Sequence, residues 1–356
     1  MIAALALAGL LGAAAAPRVP PPAAGPGRVV LAGEPFELAE PLARELARGG
    51  VLEQVAPDGA DAPRMLARSG APHERVEIDL SRVEPARDAD LAARVRAAPS
   101  VVLAGGEPIG WAGALVPGGF PSRLGLAVRE ARAAGATVAA AGPVAPLLGA
   151  WLALDRAALR KPARNPRDAR EDLFVDGLDL VRGAVLGTDG ARGGLGVARW
   201  IDAALEGRFA TAVYVDGRTA WIADPHRSTA VVAGDGSVLL LDLSGARRRR
   251  EEVAGARLSV LGDGDAWDGR AGDDRGTPVA PAQPPQRADE VAALDVARLC
   301  DAARAATPAL RVRTPRFELA LAPDEATRVV ASEGRPATVL RLRLDLVRRA
   351  PEPPAR

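Results

Sequence analysis

The chain has little of what most enzyme chemistry uses. Its 356 residues include one cysteine and two histidines. Cys300 alone cannot close an internal disulfide, and there is no CxxC pair or HExxH helix to hold a metal. No P-loop is present, and no glycine fingerprint of a dinucleotide site follows the first strand. Neither a cofactor nor a metal is therefore expected. Lys161 is the sole lysine among 46 basic residues, and aromatics make up only 3% of the chain. With abundant Ala, Gly, Pro and Arg, this reads as a GC-rich coding bias rather than a functional signal. The net charge of +1 leaves no broad basic field, which argues against a nucleic-acid partner. The run Arg247–Arg250 is followed at once by Glu251 and Glu252, so it reads as a solvated, self-compensated loop.

What is present is a globular balance, 48% hydrophobic and 26% charged, in a chain long enough for one large domain or two smaller ones. Residues 1–16 hold a continuous apolar run, IAALALAGLLGAAAA, the length of a signal-peptide core, with Ala13 and Ala15 fitting a cleavage site. The run is short for a membrane span, and its n-region carries no positive side chain. An uncleaved anchor and an ordinary N-terminal segment are the alternatives. The expectation is an exported protein with no membrane span beyond this segment. Residues 17–27 form a Pro/Gly linker.

From residue 28 onward, strands and helices alternate. Strands are expected at Arg28–Ala32, Val51–Ala56, Arg75–Leu80, Ser100–Ala104 and Thr137–Ala140. Helices are expected at Pro41–Arg48, Pro63–Ser69, Ala89–Ala98 and Leu124–Ala134. This alternation predicts an α/β fold with a mostly parallel central sheet covered by helices on both faces. The following part is richer in strands, with a helix over Gly196–Leu205. Ala212–Val215 and Ala220–Ala223 have the spacing of a hairpin. Ala230–Ala233 and Ser237–Leu243 come next, joined by a turn at Gly234–Gly236, and Arg257–Leu261 reads as a closing strand. The α/β domain spans 28–270. Residues 271–288 form a second linker, and 289–356 a small α+β module with a helix over Glu290–Ala305. In its last strand Leu340, Leu342, Leu344 and Leu346 are expected on one face, with Arg341, Arg343 and Asp345 on the other.

Residues 135–149, GATVAAAGPVAPLLG, have the outline of a nucleophile elbow: a strand, a tight small-residue turn, then a second apolar helix-like run. An elbow carries Ser or Cys at its tip, where the amides of a helix N-terminus can stabilise an anion. Here the tip is Gly142, between Ala141 and Pro143. No Ser, Thr or Cys lies between Val138 and Trp151.

Taken in order, several segments resemble the cyanophycinase and dipeptidase E family of serine peptidases. GRVVLAG at 27–33 is similar to its opening strand. SVVLAGGEPIGWAGAL at 100–115 is similar to its apolar strand, G-G-D-Q or G-G-N loop and helix. GATVAAAGPVAPLLG matches the frame of its G-T-S-A-G segment. Residues 177–205, AVYVDGRTAWIA at 212–223, and GDGSVLLLD with LSVLGDGDAWD ending at Asp268 are similar to its later elements. The resemblance covers residues 27–268. It implies a fold related to class I glutamine amidotransferases, which is flavodoxin-like. The implied activity is cleavage of small acidic peptides, with a serine on the elbow, a histidine base and backbone amides as the oxyanion hole.

On that pattern the serine position falls on Gly142, which has no side chain to attack with. Pro143 also lacks the amide that would donate to the oxyanion. The histidine position falls near Leu186–Asp189, which reads LGTD. His73 reads as a surface loop residue and His226 as a turn residue. A His226–Ser228 pair is conceivable by proximity but has no elbow. Gly105, Gly106 and Glu107 keep part of the family's acidic loop, and Arg192 stands where the family has an arginine. These four are the candidates for a degenerate pocket; a plain strand-to-helix turn is the alternative for the first three. Asp263, Asp265 and Asp268 read as turn residues, since an EF-hand loop would need further ligands and a terminal Glu. Cys300 reads as a buried structural thiol in a helix, and a glutamine amidotransferase, which needs an elbow cysteine, is disfavoured.

The leading expectation is a catalytically inactive member of this peptidase family, retaining the scaffold and a peptide or protein partner. An active hydrolase using displaced residues is the second, and a structural or interaction protein assembled through 289–356 the third.

Overall fold

The computed structural model of the chain describes residues 26–33, 40–48, 50–54, 74–80, 84–154, 173–188, 200–201, 209–249, 252–269, 276–290, 296–305, 309–314, 317–331 and 335–348. The apolar leader, the expected helix at 63–69, His73, Arg192, and all but Trp200 and Ile201 of the expected helix at 196–205 lie outside the described residues.

The first part winds as the alternation predicts. β1 (Val29–Ala32) is followed by α1 (Glu40–Leu46), β2 (Gly50–Gln54), β3 (Glu74–Ile78), α2 (Glu84–Arg87), α3 (Ala89–Ala97), β4 (Ser100–Ala104), α4 (Pro108–Leu115), α5 (Arg123–Ala133) and β5 (Thr137–Ala141). All five strands are parallel, in the order β1-β5-β4-β2-β3. β1, β4 and β5 are buried on both faces, which is why they read as unbroken apolar runs. Capping sets where two helices begin. The Asp88 carboxylate accepts from the Asp90 and Leu91 amides to start α3, and the Ser122 hydroxyl accepts from Gly125 to start α5.

The rest of the sheet corrects the expectation of a mostly parallel architecture. After β5 come a seven-residue 3-10 segment (Gly142–Leu148), β6 (Gly149–Leu154), β7 (Leu173–Asp176), β8 (Val181–Thr188), β9 (Thr211–Val215), β10 (Thr219–Asp224), β11 (Thr229–Gly234) and β12 (Val238–Asp242). β10 and β11 extend the first sheet antiparallel from β1, whereas β6 to β9 and β12 belong to a second, larger mixed sheet. The hairpin expected at 212–223 is therefore absent: β9 and β10 lie in different sheets. The turn at Gly234–Gly236 likewise carries the chain back, from β11 in the first sheet to β12 in the second. The two crossings are hydrogen-bonded side by side, Asp216 N–H to Ser237 O at 3.0 Å and Asp235 N–H to Arg218 O at 3.2 Å. β9 and β10 are each central strands, β9 between β8 and β12 and β10 between β1 and β11, and each is buried along nearly its whole length.

The second sheet continues through β13 (Arg247–Arg248), β14 (Glu252–Leu261), β16 (Thr277–Pro278), β17 (Asp289–Glu290), β18 (Leu310–Arg313), β19 (Phe317–Ala322), β20 (Arg328–Val330) and β21 (Thr338–Arg348), while β15 (Ala266–Asp268) caps the edge of the first. α6 (Val296–Arg304) is the helix of this part, and Glu290 belongs to β17 rather than to it. The basic run is not a plain loop: Arg247 and Arg248 pair with Ala254 and Val253. β21 is hydrogen-bonded along β14, so the C-terminal strands prolong the same sheet. Two bulges interrupt this pair and cancel in register. At one, the Asp345 carboxylate accepts the Gly255 N–H at 2.7 Å; at the other, Ser259 Oγ accepts the Arg341 N–H at 3.0 Å. Arg341 has φ of +59°. The bulge turns Leu340 away from Leu342, Leu344 and Leu346, so the four leucines expected on one face divide between two cores.

The described residues form three cores. One lies between the first sheet, α3 to α5 and the inner face of the second sheet; Trp111 and Trp221 belong to it. α1 seals the opposite face of the first sheet through Leu42 and Leu46, and the Ser100 hydroxyl donates to Leu46 O at 3.0 Å. α6 covers the outer face of the second sheet with Leu299, Cys300 and Ala303. No helix among the described residues is long and apolar enough to cross a membrane.

Candidate functional site

In parallel α/β sheets, ligand sites form at the carboxyl ends of the strands. Register brings the glycine turns of this chain together there. Ala32 of β1 stands opposite Ala141 of β5, and Leu103 of β4 opposite Ala140. Gly33, Gly105, Gly106 and Gly142 therefore leave neighbouring strands at one edge. Gly105 and Gly106 have φ of +71° and +69°. That left-handed pair turns the chain from β4 into α4 and lets Gly105 O accept from the Trp111 indole N–H at 2.9 Å. Trp111 is fully buried, so the loop is anchored from below. Glu107 is the N-cap of α4, exposed, with no side-chain capping bond. Its carboxylate stands at the positive end of the helix dipole, which suits its charge without any ligand. Arg192 cannot be placed against it, being outside the described residues.

Gly142 has φ of +59° and is buried, so the strained turn expected at an elbow tip is present. Beyond the tip the chain departs from an elbow. The seven residues after β5 form a 3-10 segment, not the expected α-helix-like run, and lead directly into β6. Pro146 explains this: it sits inside the run and removes the N–H that an α-helix would direct to Gly142 O, whereas Pro143 stands in the first turn, where no intrahelical bond is lost. The segment that follows the tip is thus no α-helix, and Pro143 offers no amide to an oxyanion.

Gly142 O is itself occupied. Thr188, the last residue of β8 and 1% exposed, donates its hydroxyl to it at 2.7 Å. Thr188 lies within the stretch where the resemblance puts the histidine base. Gly142 and Thr188 are thus in contact, joined by a buried hydrogen bond. Sequence inspection missed Thr188; its only visible signal was a lone hydroxyl in an apolar stretch.

The remaining candidates lie elsewhere. His226 is exposed in the β10–β11 turn, where the Asp224 carboxylate accepts from the His226 and Arg227 amides. Ala223 stands opposite Val29, at the amino end of β1. The His226–Ser228 pair is therefore separated from Gly142 by the length of that strand, roughly 10–13 Å at ~3.3 Å per residue. Asp263 accepts from Gly234 N–H at 3.1 Å, and Asp265 accepts from Gly262 N–H at 2.6 Å and from the Thr338 hydroxyl. Both carboxylates hold turns. Cys300 is buried, and burial pushes its thiol up to about 11, with a hydrogen bond to Ser237 working against the rise. It is a protonated, unreactive group at neutral pH.

No family model matches the sequence, and no curated protein matches it. Among solved structures the chain is similar to a peptidase from an acI-B1 Actinobacterium, with 15% identity and a TM-score of 0.47 over 69% of this chain and 98% of that one. It is also similar to a Listeria monocytogenes EGD-e protein described as a peptidase E protein, with 12% identity and a TM-score of 0.39 over 59% of this chain and 98% of that one.

Proposed function

We propose that this chain is a catalytically inactive relative of the cyanophycinase and dipeptidase E-type serine peptidases, one that keeps the scaffold and binds a peptide or protein partner without cleaving it. One observation carries this reading: the tip of the turn is a glycine whose carbonyl is held by Thr188, from the stretch where a base would stand. A nucleophile, a base and an amide donor are each absent from the place that would need them. Residues 1–16 acting as an export signal belong to the same proposal, and N-terminal sequencing of protein recovered from a secreting host checks that part.

The decisive measurement is incubation of the purified chain with β-aspartyl dipeptides, Asp-X dipeptides and a serine-directed fluorophosphonate. No turnover and no labelling are expected. Turnover or stoichiometric labelling would overturn the proposal. Turnover abolished by Ser228→Ala would assign the chemistry to the displaced His226–Ser228 pair.

A further inference from the structure

The first core does not close at its lower end. Between the first and second sheets, at the amino ends of the parallel strands, lies a cavity of about 830 Å³. This is the end opposite Gly142, and none of the elbow residues lines it. Its size falls within the range of small-molecule sites, ~300–1,000 Å³. Its apolar walls come from both sheets: Trp221 and Ala223 of β10, Val213 of β9, Leu240 of β12 and Leu340 of β21. Leu340 reaches it only because the bulge at Arg341 turns that residue inward.

Two polar groups on the wall are unsatisfied. The indole N–H of Trp221 is buried with no hydrogen-bond partner, in a residue only 2% exposed. The Nε–H of Arg132, from the last turn of α5, is likewise buried and unpartnered. Leaving a buried donor unpaired costs about 1–3 kcal/mol, more when it is charged. Arg304 Nη2 and Arg311 Nε are also buried without a hydrogen-bond partner, away from this cavity, so it is the cavity together with the Arg132 and Arg182 guanidinium groups that points to a ligand. Desolvation lowers the proton affinity of Arg132 below the usual arginine range; Asp224 acts against this and the neighbouring Arg182 adds to it. Asp224 offsets part of this positive charge, and its carboxylate also accepts from the amides of its own turn and pairs with Arg227 at 3.5 Å, which leaves Arg132 and Arg182 together in excess.

We propose that this cavity binds a small organic monocarboxylate with an apolar body, the carboxylate set against the Arg132 and Arg182 guanidinium groups. The apolar body fits between the Trp221 ring and the Val213, Leu240 and Leu340 side chains. A single negative charge is specified because the wall also carries Asp224, Asp242 and Asp268, which repel a multiply charged anion such as phosphate. The site is independent of the elbow, and its occupancy does not depend on whether the chain is inactive.

The test uses the full chain labelled with 15N and monitors the indole N–H resonances of its five tryptophans. Trp221→Phe identifies the relevant signal by its loss. The probes are 4-phenylbutyrate, hexanoate, 4-phenylbutyramide and inorganic phosphate, with affinities measured by calorimetry. The expected result is a shift of the Trp221 signal with 4-phenylbutyrate. Affinity falls at least about tenfold for the amide and in Arg132→Gln, matching the loss of one charge-assisted hydrogen bond. Arg182→Gln, at an exposed position, gives the same direction should Arg132→Gln fail to fold. The proposal is overturned by an unmoved Trp221 signal up to about 10 mM of each carboxylate, by equal binding of acid and amide, or by phosphate binding more tightly than 4-phenylbutyrate.

Discussion

The two ends of the parallel strands are built on opposite principles. At the carboxyl end, the turns after β4 and β5 are drawn inward: Trp111 donates to Gly105 O, and Thr188 donates to Gly142 O. At the amino end, Trp221 and Arg132 line a cavity, and their buried Nε1 and Nε donors have no hydrogen-bond partner. The end where α/β sheets ordinarily hold ligands has its polar groups satisfied by the protein itself. The end that ordinarily serves stability leaves a cavity. A cavity walled by apolar side chains and by Arg132 and Arg182 marks a place for something from outside, whereas carbonyls with internal partners mark structure. Strain alone does not distinguish the two, because Gly142 at one end and Ser228 and Arg341 at the other all have positive φ.

The largest contrast is expected from adding volume at each end. Ala140 of β5 is fully buried in the first core, and Ala140→Leu overpacks it, costing about 1–3 kcal/mol in urea unfolding. Ala223 of β10 is also buried but faces the cavity. Ala223→Leu fills empty space, so it is expected to stay within about 1 kcal/mol of the parent chain while weakening carboxylate binding at least about tenfold. Equal destabilisation by the two substitutions would show that the cavity is no more open than the core.

A similar effect tests the closed end directly. Thr188→Val keeps the shape of the side chain and removes its hydroxyl, stranding the Gly142 carbonyl. The expected loss is about 1–3 kcal/mol of unfolding free energy, and Thr188→Ser restores most of it. Thr229→Val on the cavity wall is the matched control, expected to change stability by less than about 0.5 kcal/mol. A neutral Thr188→Val would mean that the hydrogen bond seals nothing.

The closed end was far more legible in the sequence than the open one, and the reason is local encoding. β1, β4 and β5 announce themselves as apolar runs ending in glycine, and Gly142 stands at a turn whose frame is contiguous. The proline that replaces the elbow helix with a 3-10 segment was also in plain view at Pro146, but the apolar residues around it read as helix-like. Partner choice was not legible: Asp216–Thr219 looks like a hairpin turn whether the next strand returns to the same sheet or crosses to another. Nor was the bulge at Arg341, since alternation assigns Leu340 to the face of Leu342 until one inserted residue reverses it. The cavity draws its wall from residues between Pro26 and Arg341, so no window of sequence contains it. Its donors become unusual only when burial shows that nothing accepts from them.

The smallest expected effect bears most closely on what the closed end has lost. Gly142→Ser returns a hydroxyl to the tip, and because φ there is +59° the substitution costs about 1–2 kcal/mol of stability. No peptide turnover is expected, since the nearest group to the tip carbonyl is still the Thr188 hydroxyl, which is no base at neutral pH. The double variant G142S/T188H supplies nucleophile and imidazole together. It too is expected to remain at background in the dipeptide assay, because Pro143 offers no N–H to a developing oxyanion and the 3-10 segment presents no α-helix N-terminus in its place. Turnover in the double variant would mean that the carboxyl end is only plugged, two side chains from chemistry. Its absence, in a protein that still unfolds cooperatively, would mean that the backbone after the tip has been rebuilt and that the contrast between the two ends lies in the main chain.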